Sequence, residues 1–164
     1  MSVDTAIQRH HSELARAAAA AMQKHYQETI DIVSDLLTSG IYEEIAAVDP
    51  ERAKQFRAEA RLMMATAMHY NDAHYEDILR VLNAALDSPP QLQKDVYFTL
   101  AVLHLSFDHV EEAKAAMNKA LEIISQLRSS GTPDPDGSLA AQEQEAQHFL
   151  EQVEAEAKRK PRHS

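Results

Sequence analysis

At 164 residues the chain is long enough to bury roughly 70% of the surface it would expose when unfolded, so a single domain with a real core is within reach. The hydrophobic fraction is 45% with no Trp, and only three Gly and six Pro punctuate it, a composition that favours helix over sheet. The formal charge of −10, from 26 acidic and 16 basic side chains, argues against a nucleic-acid binder, which needs a basic face to displace counterions. The only basic cluster, Lys158, Arg159, Lys160 and Arg162, reads as a solvated tail that also suits a helix C-terminal dipole. With no cysteine there is no disulfide framework, thiol catalyst or thiolate metal site. The first residues lack the basic-then-apolar pattern of a secretory signal. The longest apolar stretch, residues 17–22, is far short of a membrane span. These features predict a cytoplasmic protein that meets neither membrane nor nucleic acid.

In chain order, Asp4 is the expected cap of a first helix that carries Leu14 and the alanine block 17–21. Residues 4–38 contain no Gly or Pro, so two readings stand: a hairpin turning near Gln23 and Lys24, or one continuous helix. Ser39 and Gly40 mark the next break, with Gly40 suited to the left-handed position past a helix end. A short segment, residues 41–48, leads to Asp49-Pro50-Glu51: a capping carboxylate, proline at the first helical position and an acidic first turn. The helix begun there runs to Tyr70, and Asn71, Asp72 and Ala73 break its period. Further helices are predicted over about 75–86, 91–106 and 110–128, the first of them stopped by Ser88-Pro89-Pro90. Residues 129–137 form a Gly- and Pro-containing loop, after which Ser138 is the expected cap of a last helix reaching Lys158.

Residues 74–86 (HYEDILRVLNAAL) and 109–121 (HVEEAKAAMNKAL) share five identities in thirteen positions at an offset of 35. Residues 25–37 (HYQETIDIVSDLL) line up as a more distant copy, 49 positions before the first. The second helix of each better copy carries an apolar triplet at spacings of four and three: Ile78, Leu82 and Ala85, then Ala113, Met117 and Ala120. In this period and pattern the chain resembles the tetratricopeptide repeat family, whose units are helix-turn-helix hairpins of 34 residues. The first helices match less closely, with Leu62, Ala65 and Thr66 in one copy and Tyr97, Leu100 and Ala101 in the other. His69 and His104 replace the family's tyrosine, and Ala73 and Asp108 replace its turn glycine. The resemblance implies an all-α, right-handed superhelical stack of antiparallel hairpins filling one domain over 1–164. Its parts are a distant repeat at about 10–40, an insertion at about 41–56, repeats at about 59–92 and 94–128, the loop 129–137 and a capping helix at about 138–159.

Nine histidines invite a metal reading, but His69 with His74 and His104 with His109 sit five apart across predicted turns. Helical zinc ligands pair at four apart, and His10 and His11 face different sides of a helix, so no metal site is expected. The pairs Glu43-Glu44, Glu76-Asp77 and Glu111-Glu112 lie near helix starts, where they complement the dipole rather than form an acid/base pair. There is no phosphate-cradling Gly-rich loop and no nucleophile elbow, so neither an enzyme nor a cofactor is expected. In the resembling family the first helices line a concave groove that holds a peptide or helix. Carried over, that groove comprises Met63, Ala67, Tyr70 and Asn71 in one copy and Phe98, Val102, Leu105 and Ser106 in the next. Met63 and Phe98 stand where tail-binding relatives use charged clamps, so the resemblance points to an apolar or amphipathic protein segment instead. The expected role is a small adaptor or chaperone, similar in size and acidity to the tetratricopeptide chaperones of bacterial secretion systems. Coverage of the groove by the chain's own end helices, or by a second copy in a homodimer or larger assembly, stands beside it.

Overall fold

Where the sequence interrupts its apolar period, the helices end. The computed structural model describes residues 2–159, and these form eight α-helices without a strand among the described residues. They are α1 (Val3–Met22), α2 (Tyr26–Leu37), α3 (Ile41–Val48), α4 (Pro50–Tyr70), α5 (Tyr75–Ala85), α6 (Pro90–Ser106), α7 (Val110–Ser129) and α8 (Ser138–Arg159). Lys160 and Arg162 of the basic cluster lie outside the described residues. None of the helices is long and apolar enough to cross a membrane, among the described residues.

The chain divides into two compact units, the first ending at Val96 inside α6 and the second beginning at Tyr97. In the first unit, α1 and α2 form the hairpin rather than one continuous helix: Lys24 takes a left-handed backbone with φ of 63°. The His25 N–H then returns to the Ala20 carbonyl, five residues back, at 2.9 Å. Alanines at 17 and 20 are buried, and small side chains let α2 approach closely enough for Thr29 Oγ1 to donate to the Ala17 carbonyl at 2.9 Å. The same left-handed closure recurs at Asp72 and Asp108, with the N–H of Ala73 returning to Met68 and that of His109 to His104. The left-handed residue of the middle turn is thus Asp72, not Ala73, and one extra residue separates it from the next helix. Aspartate tolerates this conformation better than most residues that carry a Cβ.

Segment 41–48, read from sequence as part of an insertion, is a helix of the core. Gly40, with φ of 87°, turns the chain so that Ile41, Tyr42 and Ile45 of α3 are all buried. They join Ile32, Val33 and Leu36 of α2, Ala6 and Ala17 of α1, and Ala53, Phe56 and Ala60 of α4 in one cluster. The triplet Ile78, Leu82 and Ala85 of α5 is buried as well, and α5 packs on α4.

In the second unit, α7 packs on α8 and buries Ala113, Met117 and Ala120, with Ile124 and Leu127 clustered on Leu139 of α8. Two expected caps are replaced by neighbours. Ser2, not Asp4, accepts from the Thr5 N–H at the start of α1, leaving Asp4 in the first turn. At α8 the carboxylate of Asp134 reaches past Ser138 to accept from the N–H groups of Leu139 and Ala140 at 3.0 and 3.1 Å.

Candidate partner-binding residues and a buried histidine

The sequence assigns binding roles to residues that the fold treats differently. Met63, Ala67 and Tyr70 share one stripe of α4 at spacings of four and three, yet their environments change along the helix. Met63 packs against the core of the first unit, and Ala67 is buried. Tyr70, in the last helical position, is 67% exposed. Its ring stacks on Tyr26 of α2, with centroids 5.3 Å apart and planes 15° from parallel. Beside it, Asn71 Nδ2 donates to Gln27 Oε1 at 3.1 Å. Two adjacent residues of α2 thus fix two adjacent residues at the end of α4.

In the second unit, Phe98 is half-buried and Val102 is exposed on α6. Leu105 faces a cavity of about 400 Å³, shared with Val110 of α7 and Val153, Ala155 and Ala157 of α8. Asp108, Glu156 and Arg159 edge it with charge. Ser106 is exposed and donates through Oγ to the Leu103 carbonyl at 2.8 Å.

The repeat-position histidines sit at helix ends. His25, His74 and His109 are the residues before α2, α5 and α7. His25 and His109 lie 3.5 and 3.8 Å from the carboxylates three residues on, Glu28 and Glu112. His104, in the last turn of α6, is held below the usual imidazole range, chiefly by burial. Among the described residues no group of three metal-ligating side chains converges.

One constellation goes unread in the sequence. His10 of α1 is 1% exposed and its Nδ1 lies 2.8 Å from the hydroxyl of Tyr42, which is itself fully buried. The imidazole stacks on Phe56 of α4 at 4.4 Å, and its Nε2 lies 3.9 Å from Glu59 Oε1. Burial, followed by the charge of Glu59, pushes the Tyr42 phenol well above its ordinary range, while Arg57 and Arg61 act in the opposite direction. The phenol therefore keeps a proton to donate, and His10 Nδ1 is its hydrogen-bond partner among the described residues. With the phenol donating, Nδ1 is the accepting nitrogen and the ring's N–H lies on Nε2, the nitrogen nearer Glu59. The signal for His10 is present in the chain: residues 6, 10, 14 and 17 fall on one helical face with Ala, Leu and Ala. Nothing local points to Tyr42, 32 residues away.

No protein-family model matches the chain, and no curated protein shows significant sequence similarity to it.

Proposed function

We propose that this chain is a protein-interaction module, an adaptor or chaperone that holds an apolar or amphipathic segment of a partner and carries out no reaction of its own. On this reading its hairpins stack in the tetratricopeptide manner and it works in a reducing, cytoplasmic setting, which suits a chain without cysteine. The supporting observation is Tyr70. A large aromatic side chain, 67% exposed, is held in place by a stack on Tyr26 rather than left to move in solvent. Such a ring offers contact area with little conformational entropy left to lose, which is why tyrosine anchors interfaces so often. Val102, 46% exposed on α6, offers apolar area of the same kind on the second unit.

The test is site-specific photo-crosslinking in the source cell, with a benzophenone amino acid in place of Tyr70 or Val102 and, as control, Asn83 on an exposed face of α5. Discrete adducts to a different protein at 70 and 102, with none at 83, are the expected outcome. Adducts joining only two copies of this chain would replace the adaptor reading with self-assembly. Equal labelling at all three positions would remove the assignment of these residues.

A further inference from the structure

The first unit contains a cavity of about 300 Å³ bounded by Gln55 and Glu59 of α4, by Pro89, and by Gln91 and Leu92 in the first turn of α6. Its size is at the small end of ligand pockets. The feature that gives it chemistry is Glu59. One carboxylate oxygen, Oε1, is buried without a hydrogen-bond partner, and the side chain as a whole is 32% exposed. A carboxylate oxygen removed from water and left unmatched is destabilising, and more so when charged.

Among the described residues, the cations of α4 leave that charge unpaired. The cations of α4 are engaged elsewhere: Arg52 with Asp49, Lys54 with Glu51 and Asp87, and Arg57 with Glu43. Arg61 donates to the Ala84 carbonyl. His10 Nε2, at 3.9 Å, is beyond hydrogen-bond reach of Oε1. A helix N-terminus also attracts anions, and α6 begins beside the cavity. Here that attraction is largely spent. Pro90 has no N–H, and the N–H groups of Leu92 and Gln93 both donate to the Pro89 carbonyl at 3.0 and 2.8 Å.

We propose that this cavity is a binding site for a primary ammonium group on a short alkyl stem, with Glu59 as its counter-ion. An ammonium has three donors and no acceptor. The cavity is lined by one carboxylate and two side-chain amides, those of Gln55 and Gln91, whose oxygens can accept, with Pro89 and Leu92 as an apolar wall for the stem. His10 is a positioning residue: bonded to Tyr42 and stacked on Phe56, it sets its Nε2 3.9 Å from the buried Glu59 oxygen. The same ammonium chemistry is found in free alkylamines and in the lysine side chain, and the experiment separates the two.

Side-chain amide resonances of Gln55 and Gln91 are followed by nitrogen-15 NMR in the full chain as n-butylammonium chloride is added. A second titration uses Nα-acetyl-lysine-N-methylamide, and n-butanol and sodium chloride at matched ionic strength are the controls. Saturable shifts with an ammonium probe, absent with both controls, are expected. Binding by both probes admits either source, and binding by one alone identifies it. Glu59→Gln should weaken binding by at least about tenfold, while Glu51→Gln on the exposed face of the same helix leaves it unchanged. The proposal is overturned if neither ammonium probe gives saturable shifts, if n-butanol gives the same shifts, or if a folded Glu59→Gln variant binds as well as wild type. The wild-type titrations decide the matter by themselves should Glu59→Gln fail to fold.

Discussion

The buried pair His10 and Tyr42 shows how polar groups can specify a core that apolar residues alone would leave interchangeable. Each buried ring has a polar atom that needs a partner, and each supplies the other's, drawing α1 onto α3 across the ring of Phe56. Tyr42→Phe keeps the shape but strands Nδ1, so a loss of about 1–3 kcal/mol is expected, and His10→Leu strands the hydroxyl at a similar cost. The double variant leaves neither Nδ1 nor the hydroxyl without a partner. Its loss, measured by urea unfolding, should fall short of the sum of the singles by about 1 kcal/mol or more, and strict additivity would show that the hydrogen bond contributes no coupling. The same pair marks the limit of what is legible in the sequence. His10 falls on the apolar stripe of α1 and is legible there as an interior residue. Tyr42 belongs to an eight-residue helix too short for its period to stand apart, and the contact joins residues 32 apart. Glu59, the third member, looks like any other charge on α4 until the fold turns it toward His10.

At the scale of elements, helix existence was legible because the apolar period breaks where helices end, with Gly or Pro marking the ends of α2, α3, α5 and α7; which side chain closes each end was not. The loop 129–137 contains several residues able to cap α8, and spacing alone favours Ser138. In the folded chain Asp134 accepts from two N–H groups of the first turn, and Asp136 accepts from that of Ser138. Asp134→Ala should therefore cost about 0.5–2 kcal/mol, whereas Ser138→Ala should fall within a few tenths. Thermal unfolding of the two variants tests this, and the reverse order would return the cap to Ser138. The repeat spacing was legible in the same limited way. Aligning His25, His74 and His109 locates three turns but conceals the extra residue after Asp72, because side-chain identity does not report backbone conformation.

The contact between α7 and α8 also carries a pH signature. Lys114 Nζ meets Glu154 Oε1 at 2.6 Å. The hydrogen bond from Lys114 holds the Glu154 carboxyl below its ordinary value of 4.5, and the same bond raises Lys114 above 10.5. For the depressed carboxyl, the stabilisation is complete above 4.5 and disappears as pH falls through the lower folded value. For the raised amine it is complete below 10.5 and disappears as pH rises through the higher one. The stability difference between wild type and Glu154→Gln should be constant near neutrality and vanish in acid. Added salt should shrink it, because both groups face solvent. A difference that persists unchanged in strong acid would mean that packing, not charge, carries this contact.

For the molecule as a whole, the question is whether its surface suits a free module or a permanent subunit. Five large apolar side chains are exposed among the described residues: Met22, Val48, Tyr70, Val102 and Phe107. They belong to five different helices or turns, so among the described residues no helix presents a stripe of large apolar side chains to solvent that an assembly must cover. The charge of −10 adds repulsion between copies. Both features favour a chain that stays monomeric until a partner supplies complementary contacts. Sedimentation velocity from low-micromolar to sub-millimolar concentration, at moderate salt, should accordingly show one species near 18.3 kDa. The salt must be moderate because screening removes the repulsion beyond about 10 Å, so a monomer seen only at low ionic strength would owe its state to charge alone. If dimers grow in with concentration and Tyr70→Ser or Val102→Ser abolishes them, the exposed residues serve a second copy of this chain, and the adaptor reading gives way. If the dimers survive both substitutions, the self-contact lies elsewhere and leaves Tyr70 and Val102 available to a different protein.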